Sequence, residues 1–429
     1  MKLLNVILSL IVLASLATLC QQIISNSALN QQNKQDSAEI NSIKYGLFSI
    51  NKWKEQLAVI IAEEINKLSL SNANELQLKE HIEIQLKGLI DNVDKKIRAS
   101  NKGTAKGWIK QSFINAFVNM KDIKDGIPEY ADAIITEMTK SQTEHHLKNI
   151  VKRRIEKYFD KTFELQDLSH LNHILQRTGT PDIETARHKL SQEISINQRV
   201  INQETYLFIT LSIVLFLVAG VSKRALAGPQ YVLLLLVLVT LLLAGVTTPM
   251  IDMEAKISEM RLVLLNHPIV FVNQILYFQT KSILDVFWIM ITNEEAQMKF
   301  VGLLMIAFSI VFPLLKMLSS LAYYYNFHKA RTNLLIQFLV LKLGKWSMTD
   351  VLIVAIFMAY IGFNGIITSQ FGNLNSTDQE VVILTTNGTS LQPGFYIFLT
   401  YTLLALFLSG ILLRRPQVDA VNTPNSNSF

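Results

Sequence analysis

Apolar and polar positions along the chain fall into two regimes. Residues 3–19 form one apolar run behind a single Lys2. Residues 30–203 are rich in Lys, Glu, Asp, Asn and Gln. Further apolar runs follow at about 206–221, 231–249, 301–322, 348–367 and 395–413. Each is close to the roughly 20 residues that carry a helix across ~30 Å of hydrocarbon. The first run could be a cleaved signal segment or an anchor. Its length, and the lack of a small-x-small site before Gln21, favour an anchor.

The polar stretch has helical periodicity. Apolar residues recur at three and four in 53–68 and 76–97, and again in 108–120 and from Gly126 to Phe159. Thr178-Gly-Thr-Pro-Asp182 marks a turn, with Pro181 at a good first-turn position and Thr180 as a candidate cap. From Asp182 the pattern runs without a breaker into the apolar run at Tyr206. A bundle of four or five helices, coupled by a continuous helix to the membrane, is predicted. The segment 251–293 is not simply polar. Part of 261–279 reads as strands, and 282–291 as a short apolar helix folded against the membrane face. The short apolar stretch 334–343 suits an interfacial helix, and the Asn/Ser-rich tail from Pro416 suits disorder.

Charge then orients the runs. Lys223 and Arg224 share one short loop, and His328, Lys329, Arg331, Lys342 and Lys345 lie in another. Arg414 and Arg415 follow the last run. Placing these inside, with Lys2, gives six spans with both termini cytoplasmic. The predicted fold class is thus an all-α membrane protein with six transmembrane helices, a small partly β extracytoplasmic subdomain and an extracytoplasmic helical bundle. Expected boundaries are an anchor or signal segment at 1–25 and an extracytoplasmic helical domain at 26–203. A transmembrane helix at 204–222, a four-helix transmembrane module at 223–415 and a disordered cytoplasmic tail at 416–429 follow.

Composition supports this and narrows the function. The 429 residues are 50% hydrophobic and only 17% charged, below the ~25% of a typical soluble domain. The net charge of +6 sits beside apolar runs, which suits an anionic leaflet rather than nucleic acid. A single cysteine, Cys20, excludes an intrachain disulfide, and the large Leu before it argues against lipoprotein cleavage. No phosphate-binding Gly-x-x-x-x-Gly-Lys loop and no Cys-x-x-Cys pair are present. His170 and His173 could share a helix face, but no convergent carboxylate or cysteine accompanies them, so a solvated face is the reading. No cofactor and no enzymatic constellation are expected.

Two charges break the apolar runs. Pro313 and Lys316 lie inside 301–322, and Asp350 opens 348–367. Charges within spans are costly and call for explanation. Proline frees a backbone carbonyl and kinks a helix. Ser309 is seven residues before Lys316, on the same face. Lys316 and Asp350 fall at comparable depth, so an ion pair is geometrically allowed. Equally, Lys316 could snorkel to headgroups, and Ser347-Met-Thr-Asp350 could be a capping box. Spacing alone leaves these readings open.

At these residues the sequence resembles the paraquat-inducible protein A family of bacterial inner-membrane proteins. Phe312-Pro-Leu-Leu-Lys316 is similar to the family's Pro-Leu-x-Lys segment. Gly344-Lys-Trp-Ser-Met-Thr-Asp-Val351 is similar to its Gly-x-Trp-Ser-Met-x-Asp-Val motif, and Thr248-Pro-Met-Ile to its opening segment. The resemblance covers about 230–413, one four-span module. It implies a membrane component that works with mammalian-cell-entry (MCE) domain proteins, which form periplasmic channels carrying lipid between membranes. Phospholipid would be the cargo, and the proton gradient a candidate energy source. The implied polar network is Ser309, Lys316, Ser347, Asp350 and a last-span hydroxyl, Thr400 or Thr402. Many members carry two modules and zinc-ribbon cysteines. This chain has one module, no ribbon, and an added polar domain. A sensor or envelope scaffold acting through that domain is the alternative.

Overall fold

The computed structural model describes residues 2–46, 168–221, 228–264, 267–327, 330–342, 349–372, 376–378 and 381–414, with isolated positions between 49 and 88. The amphipathic stretches expected between residues 53 and 167 therefore lie almost wholly outside the described residues. So do Ser347 and the tail from Pro416.

Helix α1 is Lys2–Ile40, a single element of 39 residues. No break separates the apolar run from the polar residues after it. α2, Ser169–Thr178, is closed by Gly179 in the left-handed region at φ 63°. α3, Ile183–Val221, also has 39 residues and carries the predicted continuity into the apolar segment. Its cap differs from expectation. Asp182, not Thr180, accepts from the Thr185 backbone N–H at 2.8 Å and from the Thr185 hydroxyl at 2.8 Å. Thr180 instead meets the Thr178 hydroxyl, and its N–H closes α2 on the Leu175 carbonyl.

α4 is Gly228–Thr247. The chain then enters the sheet as β1, Ile251–Leu264, and β2, His267–Lys281. α5, Ile283–Thr292, begins with a capping box between Ser282 and Asp285. α6, Ala296–Ile306, passes through one π-helical turn, Ala307–Val311, into α7, Phe312–Tyr325. A short helix α8, Leu334–Gln337, with a π turn Phe338–Lys342, fills the stretch expected to be interfacial and packs on α7. α9 is Thr349–Gly372. The strands β3 (Ser376–Asp378), β4 (Val381–Asn387) and β5 (Ser390–Leu391) precede α10, Pro393–Arg414.

The strands form one antiparallel sheet, ordered β2-β1-β4-β3, with β5 also on β1. Sequence patterning placed strands only in the first of the two segments that build it. Beyond the end of α1, Ser42 bridges the outer edge of β2 at Ile275.

Among the described residues, five helices are long and apolar enough to cross a membrane: Leu10–Ile40, Ile183–Gly220, Gly228–Thr247, Ala296–Tyr325 and Pro393–Gly410. The apolar part of α9, Val351–Ile366, is shorter. Four of these helices share a core. Leu16 and Ile23 of α1, Phe208 and Phe216 of α3, Val237 and Leu241 of α4, and Ile397 and Phe398 of α10 are almost completely buried together. α6, α7 and α9 flank that core and expose apolar side chains such as Phe300, Leu318, Val354 and Met358. In lipid these faces satisfy the requirement that a spanning helix be apolar outside. Close approach of α4 and α10 needs glycine. A Cβ at Gly394 would meet the Thr248 carbonyl oxygen at 2.4 Å and the Pro249 carbonyl oxygen at 2.6 Å.

Above the apolar core, α1 and α3 run antiparallel and pair through polar side chains. Asn26 Nδ2 donates to Glu204 at 3.0 Å, Asn30 Nδ2 to Gln198 at 3.0 Å and Asn33 Nδ2 to Glu193 at 3.2 Å. Arg177 of α2 adds an ion pair with Asp36 and a hydrogen bond to Asn33 Oδ1. A second small core of Ile40, Leu171, Ile174, Ala186 and Leu190 holds α2 against the pair.

Candidate functional site

Pro313 has no N–H, so the Ser309 carbonyl loses its normal helical donor. The π-helical turn at Ala307–Val311 lies directly before it. Such turns arise where the helical ladder is interrupted and are frequent at functional sites. Ser309 is buried, and its hydroxyl donates to the Met305 carbonyl at 2.6 Å.

One turn beyond, Lys316 lines a small cavity of about 40 Å³ between α4, α7 and α10. Tyr231, Pro313, Ser320, Tyr401 and Ser409 share it, and Val340 of the π turn after α8 closes one side. The Tyr231 hydroxyl hydrogen-bonds with the Ser320 side chain. Lys316 is half-buried, and among the described residues it makes no ion pair. The neighbouring hydroxyls carry no formal charge to offset that of the lysine.

The residues expected to act with Lys316 are distributed differently. Ser309 does not line the cavity. Thr402 is buried and donates to the Phe398 carbonyl at 3.0 Å. Thr400 donates to the Tyr396 carbonyl at 2.8 Å and lines another cleft, described below. Asp350 sits in the first turn of α9, with its side chain outside the described set, as is all of Ser347. The structure instead adds Tyr231, Ser320, Tyr401 and Ser409. Sequence reasoning missed them because tyrosines and serines in apolar runs read as ordinary core or interface residues. Their signal is a polar position or two within each of three different spans.

A second site lies where the spans meet the sheet. Lys34 of α1 donates to Asp252 Oδ2 at 2.7 Å and to Gln392 Oε1 at 3.1 Å. Gln31 donates to Asp285 Oδ2 at 3.0 Å and to the Thr280 carbonyl at 3.1 Å. These bonds tie α1 to the end of the sheet where β1 begins and β2 ends. A cleft of about 1400 Å³ opens between α3, the sheet and α10, with Lys34 and Asp252 on its wall. Among the described residues no cluster of three or more His, Cys, Asp or Glu side chains could hold a metal ion. His170 and His173 are both exposed.

Residues 260–387 match the family model described as paraquat-inducible protein A. The match is narrower than the module expected from sequence. It holds Pro313, Lys316 and Asp350 but excludes Thr248-Pro-Met-Ile and α10. No curated protein and no solved structure matches the chain. From the outer half of β1 to the end of β4, through the π turn and Lys316, the chain is therefore similar to the paraquat-inducible protein A family.

Proposed function

We propose that this protein is the membrane component of a lipid-transport system working with a periplasmic MCE-type channel. It moves phospholipid between membranes, and a polar network around Lys316 couples proton binding to helix movement. The observation that carries this reading is a lysine held among three apolar helices, one turn past a π-helical interruption, inside the PqiA-like stretch. A charge inside a span is costly unless it is paired, and in this reading Asp350 is the partner of the half-buried Lys316. Ser309, Ser347, Asp350, Thr400 and Thr402 complete the proposed network, with Pro313 setting the kink. In this reading the chain spans the bacterial inner membrane six times. Both termini are cytoplasmic, α1 is an uncleaved anchor, residues 26–203 are periplasmic and the tail is disordered. Its role is transport rather than catalysis.

The test is complementation of an envelope-lipid defect. Lys316→Ala and Asp350→Asn should abolish it while protein levels stay unchanged. Full complementation by both variants would remove the coupling role. The continuous helices α1 and α3 favour a second reading, an envelope scaffold acting through the polar domain. In-cell crosslinking from that domain separates the two. An MCE channel as the captured partner supports transport, and a wall enzyme or receptor supports the scaffold.

A further inference from the structure

The cleft between α3, the sheet and α10 is separate from the Lys316 cavity, although Thr400 of the proposed network lies on its wall, and its lining changes character along its length. At its outer and middle parts it presents three cations and three carboxylates. Each cation is paired: Lys34 with Asp252 at 2.7 Å, Arg187 with Glu184 at 2.6 Å and Lys256 with Glu254 at 3.0 Å. His188 is the remaining titratable group on this wall. At its inner end the lining becomes Tyr206, Ile209, Tyr396, Leu399 and the hydroxyl-bearing Thr400. These residues belong to the apolar halves of α3 and α10, so the cleft crosses from membrane depth to the polar exterior. The Lys34–Asp252–Gln392 cluster lies close to the end of α4 and the start of α10, where the apolar helices give way to the sheet.

A second observation points to an occupant. Among the described residues, Ser27 Oγ, Asn30 Oδ1, Thr205 Oγ1, Asp252 Oδ1 and Thr280 Oγ1 are buried without a hydrogen-bond partner. All five gather at this junction of α1, α3 and the sheet, and Thr205 and Asp252 line the cleft itself. Buried polar atoms are rarely left unmatched, so a cluster of them marks a place that water or a polar ligand completes. A neighbouring void of about 10 Å³, lined by Ser27, Asn30 and Thr280, is of water size. The cleft itself exceeds the ~300–1,000 Å³ of ordinary small-molecule pockets.

We propose that this cleft binds one diacyl phospholipid with a zwitterionic headgroup. The ammonium and phosphate meet the paired charges near Lys34 and Asp252, and the acyl chains lie against Tyr206, Ile209 and Leu399. Equal numbers of cations and carboxylates match a dipolar headgroup. An anionic lipid would meet a wall with no surplus of cations over carboxylates, whereas a dipolar headgroup can exchange partners with the pairs without leaving a net charge. The proposal rests on the lipid-carrying reading above and names where that lipid enters.

The test uses the full chain in phosphatidylcholine nanodiscs, each doped with a lipid bearing a photoactivatable diazirine in its acyl chain. One probe is a phosphatidylethanolamine and the other a phosphatidylglycerol. The ethanolamine probe should label the segments around Ile209 and Leu399 about tenfold more than the glycerol probe, the equivalent of ~1.4 kcal/mol. Label at lipid-facing Val218 should not discriminate. Ser195→Trp, at an exposed position on the cleft wall, should cut cleft labelling to a similar extent and leave Val218 labelling unchanged. Equal labelling by both probes, or labelling unaltered in Ser195→Trp, overturns the proposal. Complementation separates the two readings. Lost cleft labelling with intact complementation removes the cleft alone. Cleft labelling in a protein that never complements removes transport and leaves the cleft.

Discussion

Lys34 and Asp252 are both largely buried and make their ion pair at 2.7 Å. Removing one partner of such a pair leaves an uncompensated charge and costs about 3–5 kcal/mol, whereas replacing both with apolar residues is often neutral. Lys34→Met alone should therefore lower the melting temperature in detergent sharply, and Lys34→Met with Asp252→Leu should recover most of it. Asp252→Leu alone should resemble the single lysine variant. Asp182 allows a pH test of a different kind. The Thr185 backbone N–H and hydroxyl hold its carboxyl below the usual carboxylate range. A depressed folded pKa stabilises above the unfolded value and is lost as pH falls through the folded one. Amide exchange at Thr185, corrected for intrinsic rates, should thus stay slow through mildly acidic pH and accelerate only below the ordinary Asp range. At this scale the sequence was partly legible. Lys316 and Pro313 stood out because charge and proline are rare in spans. Tyr231, Ser320 and Tyr401 did not, because nothing local shows that three distant helices turn those side chains to one cavity. The cap at Asp182 was misplaced by two residues because Thr180 and Asp182 are both good cap types on either side of Pro181.

Helices were more legible than their interruptions. The apolar runs announced α3, α4, α9 and α10, and the missing breaker after Asp182 announced the length of α3. The early start at Ala296 was hidden by Lys299, and the π turn by the ordinary composition of Ala307–Val311. The sheet was half visible. β1 and β2 carry strand-like residues within one segment, but β4 pairs with β1 across more than a hundred residues, and no local pattern records that register. The junction of these elements gives a prediction. Gly394 N–H donates to the Pro249 carbonyl at 2.9 Å, and Gln392 N–H to the Met250 carbonyl at 2.9 Å. The end of α4 and the start of α10 are thereby laced backbone to backbone. Gly394→Ala forces a Cβ against two carbonyl oxygens and should cost about 1–3 kcal/mol, the usual range for overpacking. Gly410→Ala, with open space around it, is the matched control. Equal melting temperatures for the two variants would refute this account of the crossing.

Across the whole molecule, the PqiA-like match and the packing core do not coincide. The matched residues supply α6, α7 and α9, which lie on the flanks, whereas α1, α3, α4 and α10 form the buried centre. The polar domain is therefore not an appendage. Its supporting helices are also the middle of the membrane bundle. Helical phase should then matter between the outer and inner parts of α3. One alanine inserted after Gln198 rotates everything beyond it by about 100°, and four alanines return it to within about 40° of its original phase. Complementation should be lost with one and substantially regained with four. Equal activity for the two insertions would mean that the outer and inner parts act independently.

The polar rungs between α1 and α3 have a mechanical consequence. Asn26, Asn30 and Asn33 engage successive partners on α3, so sliding one helix along the other would break several bonds at once. The two bonded helices are each about 58 Å long at 1.5 Å per residue, which makes the pair stiff against relative sliding. Because Leu16 and Phe216 at the far ends of this pair pack in one core with α4, a relative displacement of the pair would have to repack the helix that carries Tyr231 to the Lys316 cavity.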